Sequence, residues 1–200
     1  MPLNCRVPFT WLISFIALAS AFASDTPLTE WLDVPFVQQV KAGCGSAAIS
    51  MVVQYWARQL PGLDMAAADT ERINQLLPAS PKGIQGKALQ EYLRKRSFAA
   101  FIFDGELRDL KHHLEEGRPI VVCLAPKGGH APLHYAVVVG LDDKAVWLND
   151  SMRGKLFHED VNHFLAEWKE TGNWALLAVP ESPGRSTEPD NGSSHSSQPQ

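Results

Sequence analysis

The sequence predicts a single α+β domain with a largely antiparallel sheet. Segments with apolar residues at helical spacing lie mostly in the first half of the chain, and extended apolar runs lie mostly in the second half. This segregation favours an α+β arrangement over a chain of alternating β-α units. The 200 residues, of which 45% are hydrophobic, are enough for one globular domain with a sizeable core.

The chain begins with a predicted secretory signal peptide, residues 1–23. Arg6 is followed by an apolar run at 11–20 and by a small-residue cleavage site at Ala21-Phe22-Ala23. The run is shorter than the ~20 residues that a membrane-spanning helix needs. We therefore expect the mature protein to begin near Ser24, to be periplasmic or secreted, and to have no stable membrane insertion after signal cleavage.

The first predicted helix starts at Cys44 and ends near Arg58, before a Pro61-Gly62 pair. Its apolar residues recur at helical spacing, and they are Ile49, Val52, Val53 and Trp56. A helix with this pattern has one apolar face to bury against the rest of the domain.

The remaining elements follow within a predicted domain of residues 24–180. Apolar residues on one face predict helices at 87–96, 107–114 and 161–168. Short apolar runs predict strands at 98–103, 119–125, 134–140, 145–150 and 174–179. Residues 181–200 have no apolar side chain to bury and are predicted to be a disordered polar tail.

The composition excludes two classes of protein. The chain has 18 Lys and Arg against 22 Asp and Glu, so it has no basic surplus with which to bind nucleic acid. Signal cleavage would remove Cys5 and leave Cys44 and Cys123, which excludes a disulfide framework. Cys123 lies in the apolar run at 120–124 and is predicted to be a buried strand residue.

Cys44 is the strongest candidate for a nucleophile. It lies between two glycines at the start of the first helix, where unpaired N–H groups and the helix dipole favour a thiolate. Gln39 and Gln38, five and six residues upstream, are close enough to bring an amide donor to the oxyanion of an attacked carbonyl. The alternative is that Cys44 is a small buried hydrophobic residue, as most lone cysteines are.

His134 and Asp150 lie at matching ends of a predicted β-hairpin. If its loop has an odd number of residues, His134 lies directly opposite Asp150, with Cβ atoms about 5 Å apart. The carboxylate can then hold one imidazole nitrogen and leave the other for a thiol. The odd loop would come from one of two pairings, which are Gly140 with Lys144 and Val139 with Ala145.

The third residue of this group is less certain than His134. An even loop would place Asn149 or Ser151 on the face of His134, and the Asn149 amide could also orient an imidazole. A purely structural alternative is that His134 caps a strand and Asp150 begins a turn. The combination of these residues with Cys44 and an upstream glutamine is more specific than any one of them, and it matches the nucleophile, base and orienter of a cysteine hydrolase.

Five segments together form a recognisable set. They are Val34-Pro35-Phe36-Val37-Gln38-Gln39, Cys44 to Met51, Glu116 to Val122, His134 to Gly140, and Leu148-Asn149-Asp150. This set resembles the double-glycine leader peptidases, a branch of the papain-like cysteine peptidases, and the likeness covers most of residues 31–180. The resemblance implies a papain-like fold, with the nucleophile at the N-terminus of a helix that packs on a mainly antiparallel sheet.

The resemblance also implies a role for each candidate residue. Cys44 is the expected nucleophile, His134 the base and Asp150 the orienter, and an upstream glutamine completes the oxyanion hole. Gln39 aligns after the Val-Pro-x-x-x motif and is the first choice for that glutamine, whereas papain-type spacing favours Gln38.

Two positions and the cellular context depart from the family pattern. Gly43 stands where the family often has an acidic residue, and Ser151 stands where it often has a proline. Those peptidases are commonly fused to a transporter and face the cytosol, whereas a signal peptide is expected here. A bacteriocin-type leader ending in two glycines is therefore not the expected substrate.

The expected function is that of a periplasmic or secreted cysteine peptidase that acts on a peptide or protein and needs no cofactor or metal. His134 would take the Cys44 proton, the thiolate would attack a peptide carbonyl, and water would release the acyl-enzyme. Two alternatives remain. One is a catalytically silent domain that binds peptides in the same cleft, and the other is an acyl or peptidyl transferase that uses the same thiol.

Overall fold

The computed structural model describes residues 31–77, 83–125 and 133–181. The helices in these ranges are α1 (Cys44–Gln59), α2 (Thr70–Leu76), α3 (Gly86–Arg94), α4 (Leu107–Glu115) and α5 (Val161–Lys169), with a short 3-10 helix at Met65–Ala68. The strands are β1 (Phe98–Asp104), β2 (Ile120–Leu124), β3 (His134–Leu141), β4 (Ala145–Asp150), β5 (Gly154–Asp160) and β6 (Trp174–Pro180). The signal peptide predicted at 1–23 and all but the first residue of the tail predicted at 181–200 lie outside the described residues.

The strands form one sheet in the order β1-β6-β2-β3-β4-β5, and every neighbouring pair is antiparallel. The predicted α+β fold with a mainly antiparallel sheet is therefore confirmed. The sequence did not predict β5, because a single residue of this edge strand, Glu159, is buried and the strand has no apolar face. It also did not predict α2, which is only seven residues long.

Helices cover both faces of the sheet. One core contains residues of α1 and α3, and it includes Val121 and Cys123 of β2. The core on the other face contains residues of α4 and α5, and it includes the remaining residues of β2. The central strands are thus buried on both sides, which explains why their sequences are apolar without alternation. No helix in the described ranges combines the length and the apolar character that crossing a membrane requires.

The β3–β4 hairpin combines a loop that has an even number of residues with a β-bulge in β3. The Asp142 N–H donates to the Ala145 carbonyl at 3.0 Å, so the turn has two residues between these positions. The register shifts by one residue between Val138 and Gly140 of β3. An even loop alone would have put Asp150 on the face opposite to His134, and the bulge returns it to the face of His134.

The predicted cross-strand pairing was therefore wrong in register. Neither Gly140 with Lys144 nor Val139 with Ala145 is paired, because Gly140 pairs with Trp147 and Val137 pairs with Asn149. If the pairing of Val137 with Asn149 is continued by one residue, Asp150 lies opposite Ala136, which is two residues from His134. His134 and Asp150 are consequently diagonal neighbours on one face, which is still within reach of their side chains.

Candidate active site

Cys44 is the first residue of α1, and Gly43 is the N-cap. Gly43 supplies no capping side chain and the first turn has no acidic residue, so the positive end of the helix faces the thiol without a competing anion. A Cβ added at position 43 would lie 2.9 Å from the Val40 carbonyl oxygen and 3.1 Å from Ser46 Oγ. The local backbone therefore leaves no room there for the acidic side chain that the family often carries.

His134 begins β3, beside the start of α1. Its Nε2 lies 2.7 Å from Oδ1 of Asp150, the last residue of β4, and both side chains are buried. The Cys44 thiol lies beside the His134 ring, close enough for each group to shift the pKa of the other. Since Nε2 is held by the carboxylate, Nδ1 is the ring nitrogen that remains for the sulfur.

Backbone N–H groups also hold Asp150, at the same carboxylate oxygen that contacts His134. The N–H groups of Met152 and Arg153 each donate to Oδ1 at 2.9 Å. Burial alone would raise the pKa of the Asp150 carboxyl, but the hydrogen bond and charge of His134, together with these N–H groups, hold the pKa below its ordinary value. Asp150 is therefore an ionised acceptor at neutral pH, and the His134 Nε2–H donates to it.

The environment favours a thiolate and an imidazolium. Burial opposes ionisation of Cys44, but the His134 side chain and the backbone N–H of Tyr135 contact the sulfur and lower the pKa of Cys44. Burial also opposes the charge on His134, yet the hydrogen bond to Asp150 and the contact with Cys44 raise the pKa of His134 to about 9. Both pKa shifts therefore favour a Cys44 thiolate beside a His134 imidazolium.

We predict that Cys44 reacts with alkylating agents much faster than Cys123. Both cysteines are free and buried, but burial on β2 raises the pKa of Cys123 to about 12, whereas that of Cys44 is lowered. At about pH 6, iodoacetamide should label Cys44 at least ~10-fold faster than Cys123, because the thiolate is the nucleophile. Mass-spectrometric mapping of the alkylated peptides measures both rates.

The internal comparison with Cys123 controls for reagent access and for partial unfolding. Unfolding would expose both thiols and bring their labelling rates together. Slow labelling of both cysteines at equal rates in the folded protein would mean that Cys44 carries no activated thiolate.

The two candidate oxyanion donors are placed differently. Gln39 Nε2 donates to the Lys41 carbonyl at 2.8 Å, and Gln39 Oε1 accepts from Ser151 Oγ at 2.9 Å. The Gln39 amide therefore ties the segment before Cys44 to the turn after Asp150. The Gln38 side chain is exposed and has no hydrogen-bond partner among the described residues.

Asn149, the alternative orienter, does not contact the imidazole. Its Nδ2 donates to the Val34 carbonyl at 2.9 Å, and its Oδ1 accepts from the Leu156 N–H at 3.0 Å. Leu156 has a φ of 52°, a left-handed conformation that is unusual for leucine, at an irregularity in the β4–β5 pairing. Asn149 thus joins the N-terminal segment and β5 to β4, next to Asp150.

The structure adds a charged group that the sequence did not suggest. Glu159, His163 and Glu167 place their potential ligand atoms within 4.8 Å of one another, the kind of set that could hold a metal ion. The Arg153 guanidinium binds both carboxylates, so a cationic side chain is already their partner. The four-residue spacing of Glu159, His163 and Glu167 is a helical spacing visible in the sequence, but Glu159 lies on β5, which was not predicted.

The comparisons with known proteins concern the family and the fold of the chain. Residues 31–176 match the model of the Peptidase_C39 like family. No curated protein matches the chain. A C39-like peptidase from Bacillus anthracis has a TM-score of 0.60 and 17% identity, and the match covers 75% of this chain and 96% of that one.

Two further solved structures have similar folds. The peptidase domain of Streptococcus ComA, a bifunctional ABC transporter, has a TM-score of 0.59 and 20% identity over 73% of this chain and 98% of that one. A double-glycine-motif protease from an AMS/PCAT transporter, in complex with its leader peptide, has a TM-score of 0.56 and 20% identity over 75% and 94% of the two chains. At these identities the similarity shows the fold, and it confirms the resemblance stated from the sequence.

Proposed function

Because the chain belongs to the Peptidase_C39 like family, we propose that it is a cysteine peptidase that hydrolyses peptide bonds with Cys44 as the nucleophile. One observation carries the proposal: the buried His134 ring contacts the Cys44 thiol and is held through Nε2 by Asp150 at 2.7 Å. A nucleophile at a helix start, a base and an orienter are the parts that acyl transfer requires.

The proposed reaction begins with the Cys44 thiolate and the His134 imidazolium. The thiolate attacks the carbonyl carbon of the scissile peptide bond, and the resulting tetrahedral intermediate carries the charge on its oxygen. His134 then gives its proton to the leaving amine as the C–N bond breaks, which leaves a thioester on Cys44. Neutral His134 takes a proton from water, the hydroxide attacks the thioester, and the carboxylic acid product departs as the thiolate is regenerated.

We assign the oxyanion donor to Gln38, against the first choice made from the sequence. Gln39 would have to give up two side-chain hydrogen bonds before its amide could turn to the substrate, whereas the Gln38 amide is free to turn. The backbone N–H of Cys44, at the first position of α1, is the natural second donor.

Replacing Gln38 by alanine should therefore lower kcat by about 10²–10³-fold, the usual cost of one oxyanion donor. Gln39→Ala should have a smaller effect, because it loosens the segment before Cys44 without removing a contact to the reacting oxygen. Steady-state kinetics on one fluorogenic peptide compare the two variants. A greater loss of kcat in Gln39→Ala than in Gln38→Ala would return the role to Gln39.

The proposed substrate is a peptide or protein, and the proposed reaction uses no cofactor. Val40, Leu133 and Met152 carry exposed apolar side chains and lie within four residues of Cys44, His134 and Asp150 respectively. These side chains are candidates for apolar contacts to a bound peptide. The related transporter protease in complex with its leader peptide supports the same class of substrate. Following the predicted signal peptide, we place the reaction in the periplasm or outside the cell.

The experiment that tests this proposal is peptide-library profiling of the mature protein, before and after alkylation with iodoacetamide at about pH 6. Cleavage that disappears on alkylation supports the peptidase. Peptides that bind but stay intact would indicate the silent binding domain. Products that carry an added amine instead of a new carboxyl terminus would indicate a transferase.

A further inference from the structure

The turn from Asp150 to Arg153 connects the candidate active site to the edge of the sheet. The N–H groups of Met152 and Arg153 close this turn on Asp150 Oδ1. Ser151 is buried, its Oγ lies 2.9 Å from Gln39 Oε1, and its carbonyl accepts the Gln39 N–H at 3.2 Å. One short turn therefore positions both the orienting carboxylate and the segment that leads to Cys44.

The Arg153 side chain anchors this turn to two other elements. Nη1 lies 3.1 Å from Glu159 Oε1 on β5, and Nη2 lies 3.1 Å from Glu167 Oε2 on α5. The guanidinium carbon lies 5.2 Å from the centre of the Phe157 ring. A planar guanidinium is suited to bind two carboxylates at once, whereas a lysine ammonium is a single point of charge.

Arg153 is also the cation that faces the hidden side of Asp150. Asp150 Oδ2 is buried and has no hydrogen-bond partner among the described residues, and Arg153 Nε lies 3.6 Å from it. The Arg153 side chain is 26% exposed, whereas those of Asp150, Glu159 and Glu167 are 0%, 4% and 7% exposed. Such buried carboxylates are costly without a counter-charge, so one guanidinium stabilises all three.

We propose that Arg153 is a positioning residue for the reaction of Cys44: it fixes the turn that carries Asp150, and through Asp150 it fixes the His134 ring. The inference rests on the proposed peptidase function. Arg153 contacts Asp150, Glu159 and Glu167, and it is not placed among the reacting groups. Its effect reaches the reacting atoms because a small displacement of Asp150 rotates the imidazole away from the thiol.

The first test is the Arg153→Gln variant. We expect kcat to fall on the order of 10²-fold with KM changed less than about threefold, because misplacing a reacting group affects the chemical step and not peptide binding. Arg153→Lys, which keeps the charge but not the two-carboxylate geometry, should recover part of the loss. Lys155→Gln is the matched control, since Lys155 pairs at 3.6 Å with the exposed Asp33 and should leave both constants unchanged.

A second variant separates positioning from stability. The triple variant Arg153→Met, Glu159→Gln, Glu167→Gln removes the cation together with the two glutamate charges, so that no glutamate is left without its partner. Its Tm should be higher than that of Arg153→Gln, while its kcat should stay on the order of 10²-fold below wild type. If the triple variant recovered kcat together with Tm, the proposal would be overturned. A kcat of Arg153→Gln within about threefold of wild type would overturn it as well.

Alkylation of Cys44 supplies a readout that does not depend on peptide cleavage. In Arg153→Gln, labelling at about pH 6 should be several-fold slower than in wild type, because a misplaced His134 stabilises the thiolate less. Unchanged labelling would overturn the positioning role. If the wild type labels rapidly but cleaves no peptide, the proposed peptidase function fails and the labelling comparison still decides the role of Arg153.

Discussion

Replacing Cys44 by alanine is expected to abolish peptide hydrolysis, with a rate at least ~10⁴-fold below wild type, because the variant lacks the thiol that forms the thioester in the proposed reaction. The fold should persist, since alanine is smaller than cysteine and suits the first turn of a helix. Peptide-library profiling with detection of new termini by mass spectrometry compares the variant with wild type, and circular dichroism checks the fold.

Cys123→Ala is the matched control for this variant. Cys123 is buried on β2 in the core beneath α1 and has no assigned chemical role, so its loss should cost some stability and leave kcat within about threefold. If Cys44→Ala still cleaved the same peptide bonds at the wild-type rate, the nucleophile would be another residue and the assignment of Cys44 would be wrong.

His134→Ala should lower peptide hydrolysis on the order of 10³-fold or more, because it removes the base, the proton donor and the cation beside the thiolate together. It should also slow the alkylation of Cys44 at about pH 6, since the His134 contact lowers the pKa of Cys44. Steady-state kinetics and the labelling rate measure the two effects independently.

The pH profile of the wild type adds a signature of the same residue. The pKa of His134 is raised to about 9, so the imidazolium that protonates the leaving amine should be lost, and activity with it, as pH rises through about 9. Activity should also fall at acid pH, where the Cys44 thiolate is protonated. His112 is an exposed histidine on α4, and His112→Ala is the control. This variant should keep both the acid and the alkaline fall in activity. An unchanged rate and pH profile in His134→Ala would remove His134 from the mechanism.

The placement of Cys44 could be predicted from the sequence because it depends on local features. Two glycines and an apolar periodicity that starts directly after the cysteine are enough to predict a helix start. The apolar runs of β2, β3 and β4 were equally clear, because a strand that is buried on both faces is a continuous apolar segment and can be recognised without knowing which strands it pairs with.

The hairpin register could not be predicted in the same way. His134 and Asp150 do share a face, but not through the predicted odd loop. The even loop alone would put them on opposite faces, and the bulge near Val139 shifts the register by one residue and brings them back to one face. Gly140 borders the bulge, and a glycine inside a strand often marks one, but the glycine alone does not fix the pairing of the neighbouring residues. The prediction reached the correct face through an incorrect pairing.

The contacts of Gln39 and Arg153 lay beyond sequence reasoning for a different reason. Gln39 meets Ser151, and Arg153 meets Glu159 and Glu167, so each contact depends on elements that are distant in the chain or, as with β5, not predicted. Polar residues in turns normally face solvent, and only the fold shows that these are held in place.

Trapping the acyl-enzyme tests the central claim most directly. The mature protein is mixed with an activated ester of a cleaved peptide, so that acylation outpaces hydrolysis, and the reaction is quenched in acid and mapped by mass spectrometry. The account predicts an acyl group on Cys44, none on Cys123 and none in Cys44→Ala. Hydrolysis of the ester at the wild-type rate by Cys44→Ala, with no acyl group on Cys44 in the wild type, would contradict it.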